Sequence, residues 1–321
     1  MNASPKKLIS IVAPLFNERE VVLRFDASLR QELATLSNYD FEIIYCDDGS
    51  TDGTLARVQE LCAQHTNTQL IRFSRNFGKE VATTAGIHAA RGEAVITIDS
   101  DGQHPVEMLS QFIAKWREGS HVVIGVRTAN QREGVVKHAG SKLFYALFNR
   151  LSGIRLVPGS TDYRLIDKIV QHDFMQMTEH NRITRGLIDW LGYERAFVHF
   201  KAHPRLQGRA SYSFKKLSRL AVDSVISLSI APLYATAYVG AIILPISVLL
   251  GLAMIVDALL GDPLQLHATG SAYVMVLLLF LVSVLMVSQG ISGLYLSHIH
   301  AETQNRPLYV IDETASRKHH A

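Results

Sequence analysis

Two long stretches of this chain carry no charge at all, and nothing else in it restricts the fold as much. Ser224 to Val256 runs for 33 residues without Asp, Glu, Lys or Arg, and Ala268 to Ser297 for 30 more. Crossing about 30 Å of hydrocarbon takes roughly 20 apolar residues. Each stretch is long enough, with YVGAIILPISVLLGLAMIV (238–256) and YVMVLLLFLVSVLMVSQGI (273–291) as the expected spans. The competing reading is a helical hairpin buried in a soluble core; two uncharged runs of this length, so close together, argue against it. Pro245 lies inside the first span, where a kink is tolerated because neighbouring groups satisfy the freed carbonyl.

The flanking charges set the expected orientation. Arg195, Lys201, Arg205, Arg209, Lys215, Lys216 and Arg219 precede the first run with no acidic residue among them. The loop between the runs carries Asp257 and Asp262 but no Lys or Arg, and Arg306, Arg317 and Lys318 follow the second run. The positive-inside rule then places both termini in the cytoplasm and the short loop outside, making a multi-pass protein of the cytoplasmic membrane. The opening MNASPKKLISIV holds too short an apolar run before Asn17 and Glu18 for a signal peptide. The expected layout is a cytosolic domain over 1–212 and an interfacial amphipathic helix at 213–229. Two transmembrane helices follow within 230–299 (about 233–257 and 271–296), and a cytosolic tail at 300–321. Lys215, Lys216 and Arg219 suit orientation, headgroup contact and the polar face of the interfacial helix.

Composition removes other classes. Lys plus Arg is 32 against 29 Asp plus Glu, a net charge of +3, which excludes a nucleic-acid binder built on a strongly basic surface. With 48% hydrophobic and 19% charged residues the chain is not mostly disordered. Cys46 and Cys62 cannot make a disulfide scaffold and lack zinc-ligand spacing, so they read as buried thiols in a reducing compartment.

The N-terminal part alternates between strands and helices. LISIVAPLF (8–16), FEIIYCDDG (41–49), LIRFS (70–74), AVITIDSDG (94–102) and HVVIGVR (121–127) are apolar, partly β-branched runs that end in polar residues. Helical segments such as 21–36 and 54–65 separate them. This pattern predicts a mostly parallel α/β sheet covered on both faces. Neither GxGxxG nor GxxxxGK[ST] occurs, and Gly78-Lys79 alone is not a phosphate loop.

Ligands in open α/β sheets bind beyond the carboxyl ends of strands. Three strands here end in polar clusters: Asn17-Glu18, Asp47-Asp48-Gly49-Ser50 and Asp99-Ser100-Asp101-Gly102-Gln103. An Asp-x-Asp at a strand end brings two carboxylates to one point, which suits Mg²⁺ or Mn²⁺ shared with substrate phosphates. The plainer alternative is that Asp and Gly cap helices and make turns. That explains one cluster more readily than three at successive strand ends.

These residues reach a family resemblance. VAPLFNERE (12–20), YCDDGSTDGT (45–54), the stretch 73–105 and GSTDYRLID (159–167) resemble the family 2 glycosyltransferases of GT-A fold. More narrowly, the chain is similar to polyprenyl-phosphate glycosyltransferases, the group with dolichol-phosphate mannose synthase and bactoprenol glucosyltransferase. NRITRGLIDWLGY (181–193), RLQGRASYSFKKL (205–217), the two apolar runs and ETQNRPLYVID (302–312) resemble the subgroup with two C-terminal transmembrane helices.

The resemblance implies a fold, a reaction and residue roles. The fold is a GT-A catalytic domain, Rossmann-like with a mostly parallel sheet, followed by the interfacial helix and two membrane helices. The reaction is inverting, metal-dependent transfer of one sugar from a nucleotide-sugar to polyprenyl phosphate. Pro14, Asn17, Glu18, Asp47 and Asp48 correspond to the nucleotide-binding loops. Asp99, Asp101 and Gln103 correspond to the metal and diphosphate site, and Asp162 to the acidic residue near the reacting sugar, followed by Arg164. Lys137 and Ser141 correspond to acceptor-phosphate contacts, as does Arg205 before the membrane. Arg209-Ala210-Ser211 departs from the usual Glu-Ser-Lys there, and Arg209 partly replaces the missing Lys. His104, beside the metal motif, is read as orienting or capping rather than ligating.

A nucleotide diphosphate leaves more easily when a divalent cation, Mg²⁺ or Mn²⁺, stabilises its developing charge. A lipid monophosphate is already an anionic nucleophile and has little need of a general base. The two-helix subgroup points to undecaprenyl phosphate and UDP-glucose, with GDP-mannose and UDP-linked amino sugars as alternative donors, in cell-envelope glycan synthesis. A processive polysaccharide synthase is less consistent, since QxxRW is absent and two spans are few for a polymer channel. A non-catalytic membrane protein that retained the fold is opposed by the intact acidic set. Gly290 and Gly293 offer small surfaces for a homo-oligomer.

Overall fold

The computed structural model describes residues 5–128, 157, 159–180, 182–201 and 270–317. Chain contacts divide it into two units, Met1–Ser213 with Arg306–Ala321, and Phe214–Asn305.

In the larger unit the order is β1 (Lys7–Leu15), α1 (Val22–Thr35), β2 (Tyr39–Asp47), α2 (Thr54–Gln64), β3 (Thr68–Arg72), α3 (Lys79–Ala89) and β4 (Ala94–Thr97). Then come α4 (Leu109–Arg117), β5 (Val122–Arg127), β6 (Ser160–Asp167), α5 (Lys168–Met175), α6 (Thr184–Trp190) and β7 (Arg195–Phe200). The seven strands lie in the order β3-β2-β1-β4-β6-β5-β7. All pairings are parallel except those of β6, which is antiparallel to both β4 and β5. The expected mostly parallel sheet is therefore present, with one reversed strand that the apolar pattern did not reveal.

Alternation along the strands divides the core in two. Ile9, Ile11, Ala13 and Leu15 of β1 face one layer, where α1 contributes Phe25 and Leu29 and α4 contributes Leu109 and Phe112. Val12, Ile44 and Cys46 face the other, against Ala82 and Ala85 of α3 and Phe174 of α5. Each fully buried Ile, Leu or Phe side chain contributes about 1.5–3 kcal/mol relative to exposure. Both faces are thus sealed, and polar chemistry is left to the strand ends. The two cysteines are free thiols, Cys46 buried and Cys62 half-buried.

Residues 309–317 pack against this unit. Leu70 and Phe73 bridge to Arg317 and Ile311. The Ser74 amide donates to Val310 O at 3.0 Å, and the Asp312 amide to Arg72 O at 2.8 Å. The Tyr309 ring stacks on Phe73 with centroids 5.0 Å apart.

In the second unit, α7 (Gly270–Thr303) is one continuous helix of 34 residues. Counting only the described residues, no helix is long and apolar enough to cross a membrane. The backbone of α7 covers residues 270–297 of the second uncharged stretch. The first stretch and the expected interfacial helix at 213–229 lie outside the described residues.

Candidate active site

The carboxyl ends of β1, β2 and β4 lie side by side, because Leu15 pairs with Asp47 and Val12 with Thr97. The loops that leave them are tied together. The Asn17 amide donates to Ser50 Oγ at 2.9 Å, Asn17 Oδ1 accepts the Thr51 amide at 2.9 Å, and the Glu18 amide donates to Thr54 Oγ1 at 2.8 Å. Asn17 adopts the left-handed region, φ 56°, which an Asn tolerates better than most residues. Pro14 O accepts from Ser100 Oγ at 3.1 Å, which links β1 to the loop after β4.

The Asp47-Asp48 pair is committed to loop geometry. Asp47 is fully buried, accepts the Ser50 amide at 3.1 Å and meets Arg72 Nη1 at 3.4 Å. Burial raises its pKa, with the Ser50 bonds and Arg72 opposing. Asp48 accepts the amides of Phe77 and Gly78 at 2.6 and 2.9 Å, and burial raises its pKa too. Gly49 between these loops is required: its φ is +73°, and a Cβ there would lie 2.7 Å from the Arg75 carbonyl carbon.

The bonds from Asp48 hold a turn at Gly78, φ 104° and ψ 151°, a region open essentially to glycine alone. The next residue, Lys79, begins α3 and reaches the site. Its Nζ lies 2.7 Å from Asp99 Oδ1 and 2.9 Å from Asp162 Oδ2. Burial opposes the Lys79 charge, but Asp99 and Asp162 outweigh it and raise the pKa above that of an ordinary lysine. Burial pushes the Asp162 carboxyl up, yet Lys79 and Arg185 more than offset this and hold it at about 2. The side chains of Lys79, Asp99 and Asp162 remain 46%, 24% and 28% exposed. Water therefore screens the cluster, which serves placement more than stability.

The structure thus brings two sequence-predicted residues, Asp99 and Asp162, onto one cation. Thr97 Oγ1 fixes the Asp162 backbone by donating to its carbonyl at 2.6 Å. Asp101 accepts both the Gln103 amide nitrogen at 3.0 Å and the Gln103 side-chain nitrogen at 2.8 Å. His104 orients rather than ligates: its Nδ1 accepts the Asp99 amide at 3.1 Å, and its ring stacks on Tyr163 with centroids 5.2 Å apart. Burial lowers its pKa, which keeps that nitrogen an acceptor.

Arg164 has a different role from its motif neighbour. It is 1% exposed, meets Asp189 at 2.8 Å and donates to the carbonyls of Arg185 and Thr161. It supports the site from beneath. Lys137, Ser141, Arg205 and Arg209, the expected acceptor-phosphate residues, lie outside the described residues.

Sequence reasoning missed Lys79, its neighbour Glu80 and Arg72. Glu80 accepts the Thr184 amide at 2.8 Å, and burial, reinforced by Asp162, raises its pKa. Lys79 lies in the stretch 73–105 that carries the resemblance, but nothing local announces its partner Asp162, 83 residues away. The one available signal was a lysine directly after a glycine that follows a strand.

Asp99, Asp101 and the Gln103 amide oxygen are hard donors that suit Mg²⁺ or Mn²⁺. No group of three or more His, Cys, Asp or Glu placed to hold a metal occurs among the described residues. Asp99, Asp101 and Gln103 would supply only part of a coordination shell, as suits a cation that keeps waters and takes substrate phosphate oxygens.

A family model described as glycosyl transferase family 2 matches residues 10–174. A glycosyltransferase of Synechocystis is 36% identical over 305 residues, covering 95% of both chains. The bactoprenol glucosyl transferase derived from prophage SfII of Shigella flexneri is 34% identical over 307 residues, covering 95% of this chain and 98% of its own. A prophage bactoprenol glucosyl transferase homolog of Escherichia coli is 32% identical, covering 94% and 98%. Among solved structures, mannosyl-3-phosphoglycerate synthase of Rubrobacter xylanophilus shares the fold, with a TM-score of 0.50 and 20% identity over 68% of this chain and 72% of that one.

Proposed function

The chain belongs to glycosyl transferase family 2, and from that premise we propose that it transfers one sugar from a nucleotide-sugar, UDP-glucose foremost, to undecaprenyl or a related polyprenyl phosphate, with inversion. It is a glycosyltransferase; donor, acceptor and stereochemistry are the proposal. The acceptor rests on one observation: similarity to the Shigella flexneri bactoprenol glucosyl transferase covers 95% of this chain, both uncharged runs included.

The site supports this chemistry. When bound by Asp99, Asp101 and Gln103, Mg²⁺ or Mn²⁺ supplies charge stabilisation on the leaving diphosphate. Asp162, held ionised well below neutral pH, is too weak a base to remove a proton efficiently. Its charge instead orients the sugar and steadies positive character at the anomeric carbon. An anionic acceptor phosphate needs no proton removed. It needs cations that relieve its repulsion by the donor, a role assigned to Arg205, with Lys137, Ser141 and Arg209 as further phosphate contacts. Pro14, Asn17, Glu18, Asp47 and Asp48 form the nucleotide loops in this reading.

The proposal includes the membrane. The two uncharged runs span it with the catalytic unit on the cytoplasmic side, and the segment 213–229 lies at the headgroup level where the acceptor phosphate sits. Asp101→Ala and Arg205→Ala are each expected to lower transfer by about a hundredfold or more while the protein still folds. Near-normal transfer in either variant removes that residue from the mechanism.

A further inference from the structure

Resting on the metal site just proposed, the geometry points to Lys79 as a positioning residue that competes with the divalent cation for Asp99, so that metal binds well only together with the donor diphosphate. Asp99 Oδ1 is taken by Lys79 at 2.7 Å, and Asp99 Oδ2 faces His104 at 3.8 Å. Asp101 is engaged on both oxygens by Gln103. Each carboxylate of the Asp-x-Asp is thus already held by a donor of the protein itself. A bare cation arriving at Asp99 meets the ammonium at contact distance, a repulsion of like charges in a partly shielded cleft. A diphosphate changes that balance, because its negative oxygens complete the metal shell and accept the displaced ammonium.

Lys79 is not a chance surface contact. The Gly78 turn that aims it is pinned by two amide bonds to Asp48, and its four-carbon stem also reaches Asp162 at 2.9 Å. A long flexible side chain between two carboxylates can release Asp99 while it keeps Asp162. The same residue thereby links the donor side of the site to the carboxylate assigned to the sugar.

The test is Mn²⁺ binding without nucleotide, read from the free-ion electron paramagnetic resonance signal, on the full chain in detergent. Lys79→Met, and Lys79→Gln as a second neutral variant should the first not fold, are expected to bind Mn²⁺ about tenfold or more tighter than wild type. Lys79→Arg keeps the charge and is expected to bind as weakly as wild type. Adding UDP should narrow the gap between wild type and Lys79→Met. A residue that merely held the fold would lower the melting temperature without tightening metal binding. A folded neutral variant with unchanged or weaker Mn²⁺ affinity overturns the proposal, as does Lys79→Arg binding as tightly as Lys79→Met. Asp99→Asn separates the two levels. If it cancels the gain in Lys79→Met, the competition stands; if it leaves Mn²⁺ binding untouched in every background, the metal site itself is misplaced and this inference falls with it.

Discussion

Arg164 and Asp189 show how a charge can serve a site without touching substrate. Both side chains are 1% exposed, and their closest approach is 2.8 Å. Removing Arg164 leaves Asp189 buried with its longer contact to Arg195 at 3.7 Å, which costs up to about 3–5 kcal/mol, whereas replacing both with apolar groups costs far less. Arg164→Met is therefore expected to lower unfolding stability by about that amount, and Arg164→Met with Asp189→Leu to recover much of it, as read by denaturant unfolding. His88 gives a pH signature. Burial, then Arg182, lowers its pKa, and its Nε2 has no hydrogen-bond partner among the described residues. Its folded pKa lies below the unfolded value of about 6.5, so the unfolded chain binds the extra proton as pH falls below that value. Stability should decline below about pH 6.5, and His88→Phe should decline less steeply when melting temperatures are compared between pH 7 and 5. The sequence exposed Asp99 and Asp101 through their pattern at a strand end, and Asp162 through the family resemblance of GSTDYRLID. It did not expose Lys79 or the true role of Arg164, because both depend on partners brought close only by the sheet.

Among the elements, the first five strands were the legible ones, and β7, also parallel, was not foreseen. β1 to β5 are continuous apolar runs sealed on both faces, and such burial writes itself into composition. β6 was read as a motif rather than a strand, since Ser160, Thr161, Asp162 and Arg164 interrupt its apolar pattern. Those polar residues lie on a strand because one lines the site and another is buried in an ion pair. The docking of residues 309–317 was not foreseen in the expected tail at 300–321. Its contacts with β3 join residues 240 or more positions apart, such as Arg72 and Ser316 at 3.0 Å, and no local signal reports them. Arg72 also meets Asp47 at 3.4 Å and Asp312 at 3.8 Å, so the docked segment and the loop after β2 share one guanidinium. Tyr309→Ala, which removes the ring stacked on Phe73, is expected to cost about 1–3 kcal/mol of stability. An unchanged melting temperature would show that the docked end contributes nothing.

Over the whole molecule, a family 2 catalytic unit accompanies two uncharged stretches, each long enough to span a bilayer. A water-soluble acceptor gives no reason for the second feature, whereas the proposed lipid phosphate at a membrane surface would account for it. The central claim is thus the acceptor. The most direct measurement incubates the purified full chain with undecaprenyl phosphate, Mg²⁺ or Mn²⁺ and a panel of UDP- and GDP-sugars, and identifies the lipid product by mass spectrometry. The account predicts a single hexose on a single lipid phosphate, foremost from UDP-glucose, and no product once chelator is added. A growing polymer, or sugar transferred only to acceptors other than the lipid phosphate, would contradict it.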